Sequence, residues 1–444
     1  MAFSDLDVWM NGQQVGTWFW LRTGTPGFRY SAAWQRSPNA RALSLSLPMP
    51  AGGGDIMGAA VENYFDNLLP DSSHIRERLR RRFQTPSVRA ADLLAAIGRD
   101  CVGAVQLVKT GTQPPAHDRI DSTPLSENQV EALISDMTND SPVDDLHTDD
   151  FRISIAGAQE KTALLRVGQR WHKPLGSTPT THIIKLPLGL VGNMRADMAD
   201  SVENEWLCAT LLSALGFDVA PTEMGQFGAQ KALIVQRFDR RWIESAPDRA
   251  RWIARLPQED FCQATGTPGD LKYESDGGPG IRAGLKLLAG GTHGKPDSLR
   301  FALAQLAFWL LAATDGHAKN FSIFLERGGS YRMTPLYDVL SAWPIIGNGP
   351  NQVSLRRAKL AMALRGKNAH YHLHEIHTRH WQRLAQQCGV PDAFDHMVAL
   401  VLQVPDALER VAATLPKGFP QKVFKTIRNG LLAQAERFVS ELTR

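Results

Sequence analysis

The sequence predicts an α+β protein of three parts: an α+β amino-terminal subdomain over residues 1–124, a β-rich lobe over 125–255 and an all-helical lobe over 256–444. Three observations carry that reading. A chain of 444 residues exceeds what a single hydrophobic core organises. The stretch from Thr110 to Pro124, rich in Gly, Pro, Ser and Thr, reads as a linker. The apolar pattern also changes, from strand-like alternation up to Arg241 to helical spacing beyond Leu256.

The first part mixes short strands, such as Asp7 to Met10, with a helix after Pro70-Asp71-Ser72 in which Ile75, Leu79 and Phe83 recur at four-residue spacing. That helix also carries Arg76, Arg78, Arg80, Arg81 and Arg82, which read more readily as a solvated face than as a phosphate reader. Ser126 and Gln129 form a capping-box pattern that starts the next helix. From Phe151 onward, Ile153-Ser-Ile, Ala163 to Val167, His182 to Leu186 and Leu233 to Phe238 read as strands, interrupted by one helix over Ser201 to Leu215. The run Phe301 to Ala313 is apolar nearly all round, which predicts a buried helix.

Composition excludes several classes. An apolar fraction of 43% and a charged fraction of 21% are those of an ordinary globular chain. A net charge of +4 favours anionic partners without the charge density of a dedicated nucleic-acid binder. The amino terminus has neither the basic start nor the unbroken apolar stretch expected of a signal peptide, and the run at Phe301 is too short to span a bilayer, so no membrane association is expected. Cys101, Cys208, Cys262 and Cys388 form no C-x-x-C pair, which suits a reducing, cytoplasmic setting.

The strongest chemical signal is Thr314-Asp315-Gly316-His317-Ala318-Lys319-Asn320, directly after the buried helix. An acid followed five residues later by Asn matches a kinase catalytic loop, where one loop must present a proton acceptor and a Mg²⁺ ligand around a single γ-phosphate. Tyr337-Asp338-Val339, after an expected strand at Tyr331 to Thr334, supplies a second acid at a strand end, the place of the other Mg²⁺ ligand. Lys185 sits alone in a β-branched strand, as does a phosphate-holding lysine. Its expected partner is Glu205, whose helical neighbours Cys208, Ala209 and Leu212 are apolar, so that its carboxylate calls for a cation. Glu203 reads instead as part of a helix cap with Asp200.

Other features are weaker. Ser154 to Lys161 offers small residues for a turn over phosphates but only one glycine, Gly157. Asp276-Gly-Gly-Pro-Gly280 has no preceding strand and reads as an exposed loop. His370, His372, His374, His377 and His380 lie close together without the H-E-x-x-H spacing of a metal site.

Taken as an ordered set, Phe151 to Lys161, Thr181 to Pro187, Arg237-Phe-Asp-Arg, Leu256-Pro-Gln-Glu-Asp, Asp315 to Asn320 and Tyr337-Asp338 resemble the HipA family of toxin–antitoxin kinases, as does Phe65 to Asp71. The resemblance implies a bilobal protein-kinase-like fold with an added amino-terminal subdomain. It implies a serine/threonine-protein kinase using ATP and Mg²⁺, with glutamyl-tRNA synthetase as the family's best-known target. It also implies a HipB-type helix-turn-helix antitoxin as partner, through which operator DNA is mainly bound.

Carried over by motif, Asp315 is the catalytic base, Asn320 and Asp338 hold Mg²⁺, and Lys185, paired with Glu205, holds phosphate. Ile155, Ala156, Gly157 and Ala158 form the phosphate turn, Gln236, Arg237 and Phe238 meet the adenine through their backbone, and Gln258 and His317 lie near the nucleotide. Ser154 matches the serine that the family autophosphorylates. H-R-D, D-F-G and a multi-glycine loop, the marks of ordinary protein kinases, are missing. A small-molecule kinase of the aminoglycoside phosphotransferase type and a catalytically silent DNA-associated corepressor stay open as alternatives.

Overall fold

The computed structural model describes residues 4–136, 154, 159–192, 195–244 and 251–442. The chain opens with a five-stranded antiparallel sheet whose spatial order is Asp55–Met57, Pro26–Tyr30, Gln13–Trp20, Leu6–Met10 and Gln106–Lys109. Its inner face closes over Trp18, Phe28 and Phe65, with the Trp18 and Phe65 rings stacked at 4.1 Å. The arginine-bearing helix runs Ser73–Arg82; Ser72 caps it by accepting from the Ile75 amide, and Ile75, Leu79 and Phe83 face the protein as their spacing predicts.

A second, six-stranded antiparallel sheet follows, in the order Thr222–Phe227, Gln230–Gln236, His182–Lys185, Lys161–Val167, Arg170–Pro174 and Ser122–Pro124. The edge strand Ser122–Pro124 comes from the end of the expected linker, which therefore stops at Asp121. The capping box at Ser126 and Gln129 is formed and starts helix Glu127–Ser135. Side chains alternate along the His182–Lys185 strand. Ile184 packs with Val130 and Ile134 of that helix, while Ile183 packs on the other face beside Val202 and Trp206 of helix Ser201–Ala214. Lys185 shares the Ile183 face and so points at the second helix. Of the expected strand Ile153-Ser-Ile only Ser154 is described, and it is not in a strand.

Beyond Leu256 the core is helical, as expected. Gly294–Leu311 runs through its centre with Phe301, Leu306, Trp309 and Leu310 buried, and Ile281–Ala289, Thr378–Gln387, Ala393–Leu402 and Gln421–Ser440 surround it. The region is not all-helical. A three-stranded sheet of Gln258–Asp260, Ser322–Leu325 and Tyr331–Met333 and a hairpin of Lys359–Arg365 with Ala369–His372 are set into it. Most of these strands are too short to leave a readable period in the sequence. Among the described residues no helix is long and apolar enough to cross a membrane.

Candidate active site

The cleft between the second sheet and the helical region gathers six of the residues singled out by sequence. Lys185 Nζ donates to Glu205 Oε1 and to Asp338 Oδ1, both at 2.6 Å. Burial alone would lower the Lys185 pKa, but the two carboxylates outweigh it and raise it, so the lysine stays charged. Burial also pushes Glu205 up to about 7, which Lys185 offsets only in part. Asp338 lies well below the ordinary carboxylate range: burial opposes ionisation, and Lys185 and Lys161 together overcome it.

Asp338 has φ of 59°, in the left-handed region that non-glycine residues seldom occupy. Such a conformation costs about 1–3 kcal/mol and persists where the surroundings fix it. Here the fixing contacts are Lys185 and Asn320, whose Nδ2 donates to Asp338 Oδ2 at 3.2 Å. Asn320 Oδ1 is buried and has no donor. An amide oxygen beside a carboxylate is a fitting donor set for Mg²⁺, a hard cation that takes one or two protein oxygens and completes its shell with phosphate and water.

The loop that presents Asp315 and Asn320 is set by the buried helix before it. Ala312, at φ 50°, ends that helix, with its amide donating to Phe308 and Trp309 carbonyls. Gly316 must be glycine, because a Cβ there would lie 2.4 Å from the Phe308 ring. The Asp315 carboxylate opens at the cleft mouth, 64% exposed to solvent, and accepts from the Tyr273 hydroxyl at 2.5 Å. The surrounding cleft walls displace enough bulk water to raise its pKa even so. His317 Nε2 lies 4.0 Å from Asp315 Oδ1, and burial lowers the ring's pKa to about 3, so it is neutral near pH 7.

Residues that sequence reading did not assign to the cleft complete it. Lys161 stands beside Lys185 in the adjacent strand; burial lowers its pKa to about 8, against the pull of Asp338. Asp71, in the connection between helices Ala59–Asp66 and Ser73–Arg82, accepts from Lys319 and Lys272, each at 2.8 Å. Burial raises the Asp71 pKa, the two lysines reverse that, and the result is about 2. Lys319 lies inside the Asp315-to-Asn320 loop and also donates to Asn67, so the first sheet region is tied directly to the catalytic-type loop. Asp71 and Asn67 belong to the Phe65-to-Asp71 motif, which was the available signal.

The HipA N-terminal domain family matches residues 6–108, and the HipA-like C-terminal domain family matches residues 153–411, more than half of the chain. The chain belongs to the HipA family. Among curated relatives, the Sinorhizobium fredii protein Y4mE is 32% identical over 93% of this chain and 92% of its own length. The Shewanella oneidensis serine/threonine-protein kinase toxin HipA is 30% identical over 70% of this chain and 69% of its own. Among solved structures, the Shewanella oneidensis complex of HipA, HipB and operator DNA matches with a TM-score of 0.79 at 23% identity, covering 99% of this chain and 98% of that one. That likeness shows the fold: this HipA-family chain has the bilobal, kinase-like architecture.

Other expected positions of this HipA-family chain stand apart from the cleft cluster. Arg237 turns away into a buried ion network with Asp239 and Asp100, while its amide donates to Thr181 O at 2.9 Å; Phe238 lies between the rings of Phe324 and Tyr337. Gln236 is exposed at the end of its strand. Gln258 lies in the three-stranded sheet against Gly103, its Oε1 buried without a donor. Ser154 is 1% exposed, and its Oγ donates to Leu68 O at 2.7 Å. Ile155, Ala156, Gly157 and Ala158 lie outside the described residues.

Three expectations are corrected or resolved by neighbouring groups. Asp200 makes no side-chain cap and Glu203 is bonded to Lys231 at 2.8 Å, because that lysine across the sheet gives the carboxylate a full counter-charge that a helix amide does not. In the arginine helix, Arg76 is taken up by Asp66, Arg78 by Glu160, and Arg80 and Arg81 by Glu77. His377 binds Glu441 and caps its own helix through His380, so these histidines have structural partners.

Proposed function

We propose that this HipA-family chain is the toxin of a toxin–antitoxin pair and acts as an ATP- and Mg²⁺-dependent protein serine/threonine kinase. The observation that supports this most is the convergence of Lys185, Glu205, Asp338 and Asn320 from a strand, a helix and two loops into one hydrogen-bonded chain, with the Asn320 Oδ1 acceptor left over. Mg²⁺, when bound, would supply positive charge that neutralises the charge developing on phosphate transfer. Asn320 and Asp338 would hold it. Lys185 would exchange its Asp338 contact for the α- and β-phosphates while Glu205 keeps it oriented. Asp315, exposed at the mouth, would accept the proton of the attacking hydroxyl, and its raised pKa improves the match to that task.

The partner in this reading is a HipB-type antitoxin that carries most of the operator-DNA contact, and the first acceptor to test is glutamyl-tRNA synthetase. Purified chain with Mg²⁺ and ATP is expected to place phosphate on serine or threonine of that protein. Transfer to aminoglycoside sugars alone, or no ATP binding by calorimetry, would overturn the reading.

Self-inactivation through Ser154 belongs to the same proposal. A phosphate there would bring a charge of about −1.5 to −2 into a buried position. The Leu68 carbonyl that now accepts from Ser154 would repel it, so modification requires the segment to leave its place. Mass spectrometry is expected to find phosphate on Ser154 in active protein and none in Asp315→Asn; phosphate in both, or in neither, refutes self-modification.

A further inference from the structure

The helical region carries a groove of about 900 Å³ between helix Ile281–Ala289, the hairpin turn at Arg365 to Lys367 and helix Thr378–Gln387. Arg282, Lys286, Arg365, Lys367 and Arg383 line it, and no aspartate or glutamate does. All of these cations are exposed. Arg365 is held by Glu274 at 2.6 Å, whereas Arg282, Lys286, Lys367 and Arg383 have no ion pair or hydrogen bond to the described residues. This sets the groove apart from the arginine helix at Ser73–Arg82, where neighbouring carboxylates take up Arg76, Arg78, Arg80 and Arg81. Leu285 and Leu384 give it an apolar floor.

The groove's position relates it to the cleft. Glu274, which grips Arg365 and accepts from the Ala363 amide at 2.7 Å, directly follows Tyr273, whose hydroxyl is on Asp315. The groove rim and the expected base are thus joined through adjacent residues of one turn. We propose that this groove receives an acidic segment of the protein substrate next to the serine or threonine presented to Asp315. The inference rests on the kinase reading and names its substrate class.

Unpaired cations around an apolar floor suit a peptide that carries carboxylates and buries an occasional side chain. No Phe, Tyr or Trp on which nucleic-acid bases could stack lines the groove, whose one aromatic ring, His380, is stacked on His370, and its link to Asp315 has no purpose in duplex binding. Electrostatic guidance of this kind acts mainly on encounter and selection and weakens as salt rises.

The test uses the full chain and serine peptides flanked on either side by a run of aspartates, or by asparagines as neutral controls. The aspartate peptides are expected to show a KM about tenfold lower at low salt, the gap closing in high salt. The Lys286→Glu/Arg383→Glu double variant is expected to abolish that preference while its ATP affinity stays unchanged. Equal use of the two peptides, or a preference that survives the double variant, overturns the proposal. So does a double variant that loses duplex DNA binding yet keeps the peptide preference, which would give the groove to nucleic acid. Fluorescence anisotropy of the labelled aspartate peptide without ATP reads the groove independently of catalysis. A chain that transfers no phosphate therefore refutes the kinase reading, and the peptide's binding still decides for or against the groove.

Discussion

Near the junction of the two main sheets, Asp100 receives Arg237, Arg240 and Arg255, and Asp239 receives Arg237 and Arg240, all of them buried. In the cleft, Lys185, Glu205 and Asp338 are buried or half-buried too, yet among the described residues Asn320 Oδ1 has no donor and Lys161 no ion pair within 4.0 Å, and Asp315 opens to solvent. In the first cluster every carboxylate is committed to guanidinium groups. In the second, charge is concentrated and part of its bonding capacity is left open. What the first cluster leaves over is donors only, Arg240 Nε and Arg255 Nη1, and its fully engaged carboxylates tie regions together, whereas an open acceptor beside an exposed acid in a cleft marks a place where something else can enter.

The sharpest break of that comparison is Asp315→Asn. It keeps shape and removes the proton acceptor, so phosphate transfer is expected to fall by about 10²–10⁴-fold. The melting temperature and ATP affinity should stay near wild type. Growth arrest at wild-type strength from this variant would remove Asp315 from its proposed role. The acid limb of the wild-type kcat/KM profile should also be shifted upward from that of an ordinary aspartate, since burial raises the Asp315 pKa.

The opposite response is expected of Asp100→Ala. Removing one partner of a buried charge network typically costs about 3–5 kcal/mol, and here three guanidinium groups lose a shared carboxylate. Specific activity of the folded fraction should be retained. Burial opposes Asp100 ionisation, but the arginines outweigh it and hold the folded pKa well below the unfolded value. Its stabilisation is therefore present above an unfolded pKa of about 3.9 and is lost as pH falls through the folded one. Denaturant titrations between neutral and acid pH should show a shallower acid loss in the variant; an unchanged slope would mean the cluster is not what acid breaks.

Lys185→Ala tests the open cluster from within. Charge-assisted hydrogen bonds are worth about 1.5–3 kcal/mol, so ATP affinity is expected to drop by about 10- to 150-fold, measured by calorimetry. Stability should fall as well, because Glu205, 3% exposed, loses its cation. Unchanged nucleotide affinity would show that Lys185 does not touch phosphate.

Sequence made one half of this cleft legible. Lys185, Glu205, Asp315, Asn320 and Asp338 could be found because each sits in a local pattern: a β-branched strand, an apolar helix face, an acid and Asn at fixed spacing, an acid after a strand. The other half depends on docking between distant segments. Asp71 reaches Lys319 across 248 positions of sequence, and Ser154 reaches Leu68 across 86. No local period encodes such pairs. The same limit explains the fold. Helix Gly294–Leu311 was readable from its composition, whereas the three-residue strands at Gln258–Asp260 and Tyr331–Met333 exist because they pair with Ser322–Leu325, and only the second of them left a strand signal in the sequence.

The smallest expected effect comes from the residue two positions before Glu205 on the same helix. Glu203 and Glu205 are both glutamates bonded to a lysine of the sheet at under 3 Å, and a list of contacts would rank them alike. Their partners differ. Lys231, the partner of Glu203, is 34% exposed, so water can solvate it when the carboxylate goes; Lys185 is 7% exposed and shares its charge with Asp338. Ion pairs with a solvated member are worth about 0.2–1 kcal/mol. Glu203→Gln should therefore lower stability by no more than about 1 kcal/mol, and it should leave ATP affinity and phosphate transfer untouched. Glu205→Gln should weaken both, because Lys185 then loses the carboxylate that fixes its direction. Equal loss of nucleotide affinity in the two variants would mean that the helix is stiffened as a unit by both pairs, and the distinction between a solvated and a buried lysine would not govern this cleft.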